Sequence, residues 1–293
     1  MVKKILLLSF FLGTAVLAGA QSFYNFGQNR TLTVSGGIGN ASYFGDLKDP
    51  REYLDPQFNL TGGLQYYFHQ RFSGRLDLTY FKLEGDDRET DNPPRSVRNL
   101  SFKSSNLELA LTGNFTIVPP SSLRYYQRQK VNGYLFAGIG LLYTNPTAVY
   151  NGVKYALQPL RTEDRSYSRF QVVIPFGAGA RFKVSNNVNI VLEGGYRKTF
   201  TDYLDDVSTR HPNKSTWTDP VRIALSDRRP EKGLSPYEPG SIRGDPTDKD
   251  GYFLLNIKGE YYLAKNFLER RGYNQRKLYN TKRRSIYRMP RRR

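Results

Sequence analysis

The chain is 293 residues long, has no cysteine, and carries 44 Lys and Arg against 26 Asp and Glu, a net charge of +18. The missing cysteines exclude a disulfide framework, cysteine-based metal sites and a lipid-anchored amino terminus. Only 38% of residues are hydrophobic, which would suit a soluble protein, yet a barrel strand shows lipid on one face alone and tolerates a low average hydropathy.

Lys3 and Lys4 precede an apolar run from Ile5 to Leu17, and Ala18, Gly19 and Ala20 supply a small-residue cleavage site, so residues 1–20 read as a secretory signal peptide. No later stretch approaches the roughly 18 apolar residues of a spanning helix. From there to residue 263, eight segments alternate with period two: 31–43, 57–68, 72–83, 103–117, 132–143, 168–183, 188–199 and 252–263. In the third, Leu76, Leu78 and Tyr80 oppose Arg75, Asp77 and Thr79. The fourth sets Leu107, Leu109, Leu111, Phe115 and Ile117 against Asn106, Glu108, Thr112, Asn114 and Thr116. The sixth sets Phe170, Val172, Ile174, Phe176 and Phe182 against Gln171 and Arg181, and the seventh Val188, Ile190, Leu192 and Tyr196 against Asn189, Glu193 and Arg197.

Alternation alone fits a soluble barrel with an apolar interior equally well. Two features decide for the inverse. The charged-face residues Arg75, Asp77, Glu108, Arg181, Glu193, Arg197, Lys258 and Glu260 balance in sign, as a filled polar lumen requires. The connections, about 13, 3, 19, 14, 24, 4 and 52 residues in order, alternate between long external loops and shorter periplasmic turns. Residues 21–263 are therefore expected to form an all-β, eight-stranded antiparallel transmembrane barrel in a Gram-negative outer membrane. Such a barrel is too narrow for a wide channel, so a general porin is not expected.

Within that frame Pro175 predicts a bulge or bend, and region 200–251 reads as either a folded cap or a mobile loop. The pairs Tyr66-Tyr67, Tyr80-Phe81, Tyr125-Tyr126 and Tyr261-Tyr262 near strand ends read as aromatic girdles, the alternative being ordinary β-propensity. Gly259, Tyr261 and Leu263 stand at the spacing of a carboxy-terminal assembly signal.

Residues 264–293 carry twelve Lys or Arg and only Glu269 as an acid. In an even-stranded barrel this tail faces the periplasm, which excludes nucleic acid as its partner. Arg270, Arg271, Arg276, Lys277, Lys282, Arg283 and Arg284 are the candidate partner-binding residues. Anionic lipid headgroups, peptidoglycan carboxylates or an acidic protein surface suit them, and a merely solvated tail stands beside these readings. Asp202, Asp205 and Asp206 suggest a divalent cation through hard oxygen ligands, or simply caps and a short helical turn. His211 with Ser208 and Asp206 offers the residue types of a hydrolase, and His69 falls in a periplasmic turn. There is no glycine-rich phosphate loop or zinc motif. No catalytic residue, metal or cofactor is expected.

The strings YFGDL at 43–47, RNLSFKSSNLELAL at 98–111, NPTAVYNGVKYALQPLRTE at 145–163, IPFGAG at 174–179 and RKTFTDYLDDVST at 197–209 resemble a Bacteroidetes outer-membrane barrel family that includes PorG, a component of the type IX secretion and gliding machinery. The resemblance covers most of residues 31–263. It implies a non-catalytic barrel that ties a periplasmic secretion ring, built from a lipoprotein and its soluble partner, to the outer membrane, with the tail and residues 118–131 as docking surface. Since 145–163 and 197–209 fall in external loops, Arg161, Glu163, Arg197 and Asp202 are expected to pair across the barrel mouth as a lid. The other readings are a surface barrel binding lipopolysaccharide or an external ligand, and a lipid-modifying enzyme using His211.

Overall fold

The computed structural model describes residues 31–48, 57–88, 90, 93–119, 128–247 and 249–263. Its strands are β1 (Leu32–Phe44), β2 (Gln57–Tyr67), β3 (Phe72–Asp86), β4 (Ser101–Thr116), β5 (Val131–Tyr143), β6 (Pro146–Tyr150), β7 (Val153–Ala156), β8 (Phe170–Lys183), β9 (Val188–Thr199) and β10 (Gly251–Tyr262). Eight of them close a barrel in the order β3-β2-β1-β10-β9-β8-β5-β4, with β3 pairing β4 to complete the ring. Every pairing around the ring is antiparallel. The eight expected segments are these eight strands, displaced by at most three residues at either end.

Lipid exposure and lumen packing divide each strand between two faces. Outward residues such as Ile38, Leu111 and Ile257 are 58%, 58% and 60% exposed, whereas Glu108 and Glu193 inside are each 1% exposed. The outward face changes character toward the loop end. In β3 it runs Phe72, Leu76, Leu78 and Tyr80 and then turns to Lys82 and Glu84, and Glu84 pairs with Lys103 of β4. That switch marks the upper limit of the apolar belt. An apolar belt around a closed sheet, with a charged interior, is the organisation of a membrane-spanning barrel. The described residues contain no helix long and apolar enough to cross a membrane.

Three expectations need correction. The connection after β5 is not a plain loop: β6 and β7 form a hairpin hydrogen-bonded to the extended top of β4 through Lys103↔Thr147. Its turn is Asn151-Gly152, with φ of 50° and 78°, the left-handed pair that a two-residue hairpin turn demands. Pro175 produces no bulge. The β5–β8 ladder pairs Ala137↔Phe176 and resumes at Gly140↔Val173, so no residue is inserted and only the intervening rungs are interrupted. The three described aromatic pairs are each split by the pleat. Tyr66, Tyr80 and Tyr261 face outward, while Phe81 and Tyr262 are buried and Tyr67 turns inward. Tyr125 and Tyr126 lie outside the described residues.

Region 200–251 is a folded cap, built with residues 45–48, the helix α1 (Pro93–Arg98), the β6–β7 hairpin, the one-turn helix α2 (Leu157–Leu160) and the helix α3 (Pro220–Ser226). Asp219 caps α3 by accepting the Val221 N–H, with Pro220 at its first turn. Beneath the cap the inner face of the barrel turns apolar. Tyr43, Phe81, Leu83, Phe102, Leu142, Val173, Tyr252 and Leu254 meet Leu204, Val207 and Leu225 in one buried cluster. Phe81 stacks on Tyr252 at 4.8 Å and Tyr43 meets Phe102 edge-on at 5.0 Å.

Placing a cation in the middle of the belt tests the membrane assignment. Leu111→Arg and Ile257→Arg are each expected to lower stability in vesicles by about 2–4 kcal/mol, read by urea unfolding, whereas Val149→Arg on the hairpin costs little. Equal costs at all three positions would contradict a lipid-facing belt.

Candidate functional site: a filled lumen under a pinned cap

The eight charged residues expected in the lumen all stand inside the barrel, and none is more than 7% exposed. They form tiers, each organised around one carboxylate. At the turn end, Glu260 faces Arg181 at 3.6 Å and accepts hydrogen bonds from Asn189 (2.6 Å), Thr33 (3.2 Å) and Tyr67 (3.1 Å). In the middle, Glu193 accepts Arg75 Nη1 at 2.5 Å, Lys258 Nζ at 2.8 Å and the Tyr134 hydroxyl. Asp77 joins this tier, 2.6 Å from Arg75 Nε and 3.8 Å from Lys258 Nζ. Toward the cap, Glu108 faces Arg197 at 3.5 Å and accepts the Tyr252 hydroxyl at 2.5 Å.

The tyrosines are the part the sequence reading missed. Each tier carboxylate takes a phenol hydroxyl as well as a cation, and Arg181 also lies 3.7 Å over the Tyr134 ring. The phenol supplies a directed donor and an apolar body that fills the space between the long side chains. Part of the signal was present, because Tyr252 is in phase with Lys258 and Glu260 on β10, whereas Tyr67 and Tyr134 stand on strands without charged residues, in phase only with Gln65 and Asn132. Room for these groups comes from small partners: a Cβ on Gly37 would stand 2.4 Å from the Ile257 carbonyl oxygen and 2.7 Å from Lys258 Cγ.

The cap is held by a second polar network. Arg98 clasps Asp87 with Nε at 2.7 Å and Nη2 at 2.8 Å, and donates to the carbonyls of Asp46 (2.9 Å) and Arg243 (2.5 Å). Arg243 pairs with Glu163 at 2.8 Å, and Glu163 also receives the N–H groups of Ser208 (2.9 Å) and Thr209 (3.0 Å). The expected lid pairing is thus corrected in its partners. Glu163 meets Arg243, Arg197 faces Glu108 inside the lumen, Asp202 packs beside Ser208, and the Arg161 carbonyl receives Arg222 at 3.0 Å. Burial alone would raise Glu163, but Arg243 and the Ser208 N–H hold it below the usual carboxylate range.

The three aspartates of the DYLDDVS segment, Asp202, Asp205 and Asp206, separate. Asp206 accepts Thr162 and Tyr167 hydroxyls, and burial, partly offset by Arg243, pushes it up to about 6. Burial likewise pushes Asp46 up to about 6. Asp205 and Asp250 are fully buried near each other, and burial pushes both well above the carboxylate range, reinforced at Asp205 by the Asp250 charge. Among the described residues no three acidic or imidazole side chains stand in a metal-binding arrangement. His211 is 2% exposed and stacks on Tyr237 at 4.6 Å, and neither ring nitrogen has a hydrogen-bond partner. It therefore does not pair with Ser208 or Asp206 as a triad would require. Burial, with the Arg243 charge, holds it down to about 4. His69 accepts the Arg71 N–H at 3.4 Å in the β2–β3 turn. Arg270, Arg271, Arg276, Lys277, Lys282, Arg283 and Arg284 lie outside the described residues.

Removing the Glu193 carboxylate strands Arg75 and Lys258 in the lumen. Glu193→Ala is expected to cost about 3–5 kcal/mol in urea unfolding, with part regained in Glu193→Ala/Lys258→Met; a loss under about 1 kcal/mol would mean that water reaches this tier. The cap has its own pH signature. From about pH 4 to 6 the depressed His211 offsets only one of the two raised carboxyls Asp46 and Asp206, which hold protons in the folded cap that the unfolded segment has released, so stability falls as pH rises through that range. Above about pH 6.5 His211 is neutral folded or unfolded and adds nothing. Hydrogen exchange of cap amides, corrected for intrinsic rate, should show easier opening as pH rises from about 4 to 6, and Asp206→Asn should reduce that trend.

Comparison with known proteins bears on the fold and the family. Among solved structures, the chain is similar to Neisserial surface protein A (TM-score 0.41, 9% identity, covering 79% of this chain and 97% of that one). It is also similar to Ail of Yersinia pestis (TM-score 0.40, 11% identity, 80% and 98%) and OprG of Pseudomonas aeruginosa (TM-score 0.39, 8% identity, 81% and 99%). No curated protein matches it in sequence. A family model described as a domain of unknown function, DUF6089, matches residues 15–219, and the chain, an eight-stranded antiparallel barrel with a folded cap, belongs to that family.

Proposed function

We propose that this protein is a non-catalytic outer-membrane barrel that serves as a PorG-like anchor or assembly component of type IX secretion and gliding machinery. The observation that carries the reading is the sealed interior: eight mutually neutralised charges fill the lumen, and a cap pinned by Arg98, Arg243 and Glu163 covers its mouth. A sealed barrel acts through its two ends. At the turn end, Arg128, just before β5, donates to Asn189 Oδ1 (2.8 Å) and to the carbonyls of Ser185 (3.1 Å) and Asn186 (2.9 Å), with its guanidinium 4.0 Å over the Tyr262 ring. That anchored approach to β5, with the basic sequence 264–293 following β10, suits a platform for a periplasmic ring of a lipoprotein and its soluble partner.

A second reading, a surface barrel for an external ligand, draws on one feature of the cap. A groove of about 700 Å³ opens there between Arg165, Arg210, His211, Pro212, Ile242 and Asp245. The experiment that separates the two is affinity purification after cross-linking, with the tag in loop 210–250 and with or without residues 264–293. Ring proteins recovered only with the tail support the anchor and place its contact, and recovery in both forms moves the contact to the turns. Recovery in neither form removes the anchor reading and leaves the groove.

A further inference from the structure

The groove on the cap is built on a fixed scaffold. The Arg210↔Ile242 bridge, the His211 N–H donating to the Ser241 carbonyl (2.9 Å) and the Gly240 N–H donating to the His211 carbonyl (2.8 Å) tie segment 209–212 to segment 240–244. Its volume of about 700 Å³ lies within the range of roughly 300–1,000 Å³ that takes one small molecule.

The acids that line this groove are already engaged by the protein. Glu163 accepts Arg243 Nη1 (2.8 Å), the N–H groups of Ser208 (2.9 Å) and Thr209 (3.0 Å), and the hydroxyls of Thr209 (2.7 Å) and Tyr203 (3.2 Å). Asp245 accepts the Thr247 N–H at 3.0 Å and the Thr247 hydroxyl at 2.6 Å, with the Lys249 charge beside it. The donors are open. Arg165 is exposed in the lining and, among the described residues, makes no hydrogen bond or ion pair. The Arg210 side chain donates through Nη1 alone, to the Gly240 carbonyl at 2.7 Å. His211, also in the lining, is 2% exposed, and neither of its ring nitrogens has a partner.

A site whose acceptors are satisfied and whose guanidinium donors are open is complementary to an oxyanion, which the planar arginine fork meets with two parallel hydrogen bonds. The neutral imidazole of His211 adds one more donor and one acceptor. Pro212, Pro246 and Ile242, the last 70% exposed, offer apolar surface to the rest of a ligand. We propose that the groove binds a small molecule bearing a carboxylate, phosphate or sulfate group, gripped by Arg165 and Arg210, with its body against Pro212 and Ile242. This rests on the second reading, in which the cap takes an external ligand, and gives that ligand its chemistry; the anchor reading neither requires nor excludes it.

The test is isothermal titration calorimetry of the full chain in detergent near neutral pH, with glucose and its carboxylate, phosphate and sulfate derivatives as probes, so that the ring is constant and the anion varies. At least one derivative is expected to bind at least about tenfold tighter than glucose. Arg165→Gln, whose side chain holds nothing in the fold, and Arg210→Gln should each remove most of that preference. Lys154→Gln, which deletes an exposed cation of the β6–β7 hairpin outside the groove, should keep it. Heat-modifiable migration verifies that each variant is folded. A preference that survives both arginine changes, or that falls equally in Lys154→Gln, would be general attraction to a basic protein and would overturn the site. Glucose binding as tightly as its derivatives, with all binding lost in Ile242→Glu, would keep the groove as a ligand site and overturn its anion chemistry. Absence of binding by every probe would overturn both.

Discussion

Closing eight strands into a ring forces every second side chain into a space with little room for water, and the rest of this structure answers that constraint. A charge placed there loses several kcal/mol of hydration, so it must be matched and hydrogen-bonded where it stands. The lumen meets the requirement in repeated units of a carboxylate, a cation and a phenol: Glu260 with Arg181 and Tyr67, Glu193 with Arg75 and Tyr134, and Glu108 with Arg197 and Tyr252. Four cations balance four acids, so the interior carries no net charge to attract ions. Cross-barrel pairs also join strands far apart in sequence. The Arg75–Glu193 contact spans 118 residues and ties β3 to β9 across the ring.

The same closure explains why the cap is ordered. Toward the loop end the inner face gives up charge for Phe81, Leu83, Phe102, Leu142 and Leu254, and these need apolar cover. Leu204, Val207 and Leu225 of the long loop provide it, turning 51 residues of irregular chain into a lid with a core. Once packed there, the loop brings Arg243 to Glu163 and Arg98 to the Asp46 and Arg243 carbonyls, burying polar groups that must then be satisfied locally. Asp205 and Asp250 are the residue of that burial, two acids whose titration burial raises, with the Tyr43 hydroxyl donating to Asp250.

Period-two alternation, together with the sign balance of the inward charges and the alternating connection lengths, was enough to read the barrel from the sequence, because lipid outside and a filled lumen inside impose the alternation along every strand. Side-chain pairing was less legible. Arg75, Glu193 and Lys258 could be assigned to one interior, but which met which depends on strand stagger, which the alternation does not encode. The tyrosines misled because an aromatic near a strand end suits a girdle as well as a lumen; the pleat decides, and it divides the three described pairs. Asn151-Gly152 was an available hairpin signal inside a segment read as loop. Pro175 misled in the opposite sense, since the ladder on its β9 side continues at Pro175↔Arg197 and holds the register through the interruption. Glu163 found Arg243 instead of a nearer arginine because the cap folds as a unit, a non-local event with no trace in local pattern.

A barrel filled and capped in this way has little freedom to act by transport or by a moving gate. Opening the lumen would separate several ion pairs in a medium where an unpaired charge is costly, and lifting the cap would expose its apolar core together. Function is therefore displaced to surfaces that the closure does not constrain, the outer faces of the cap and the turn end. Those surfaces differ in composition: the loop side holds acidic and basic residues in near-equal number, whereas the described turn residues include Arg71, Arg128, Lys130 and Lys183 and no acid. The interior is neutral by pairing, so the net charge of the chain lies outside it. A molecule so polarised meets its surroundings differently on the two sides of the membrane, with the rigid lumen holding the two ends in fixed relation.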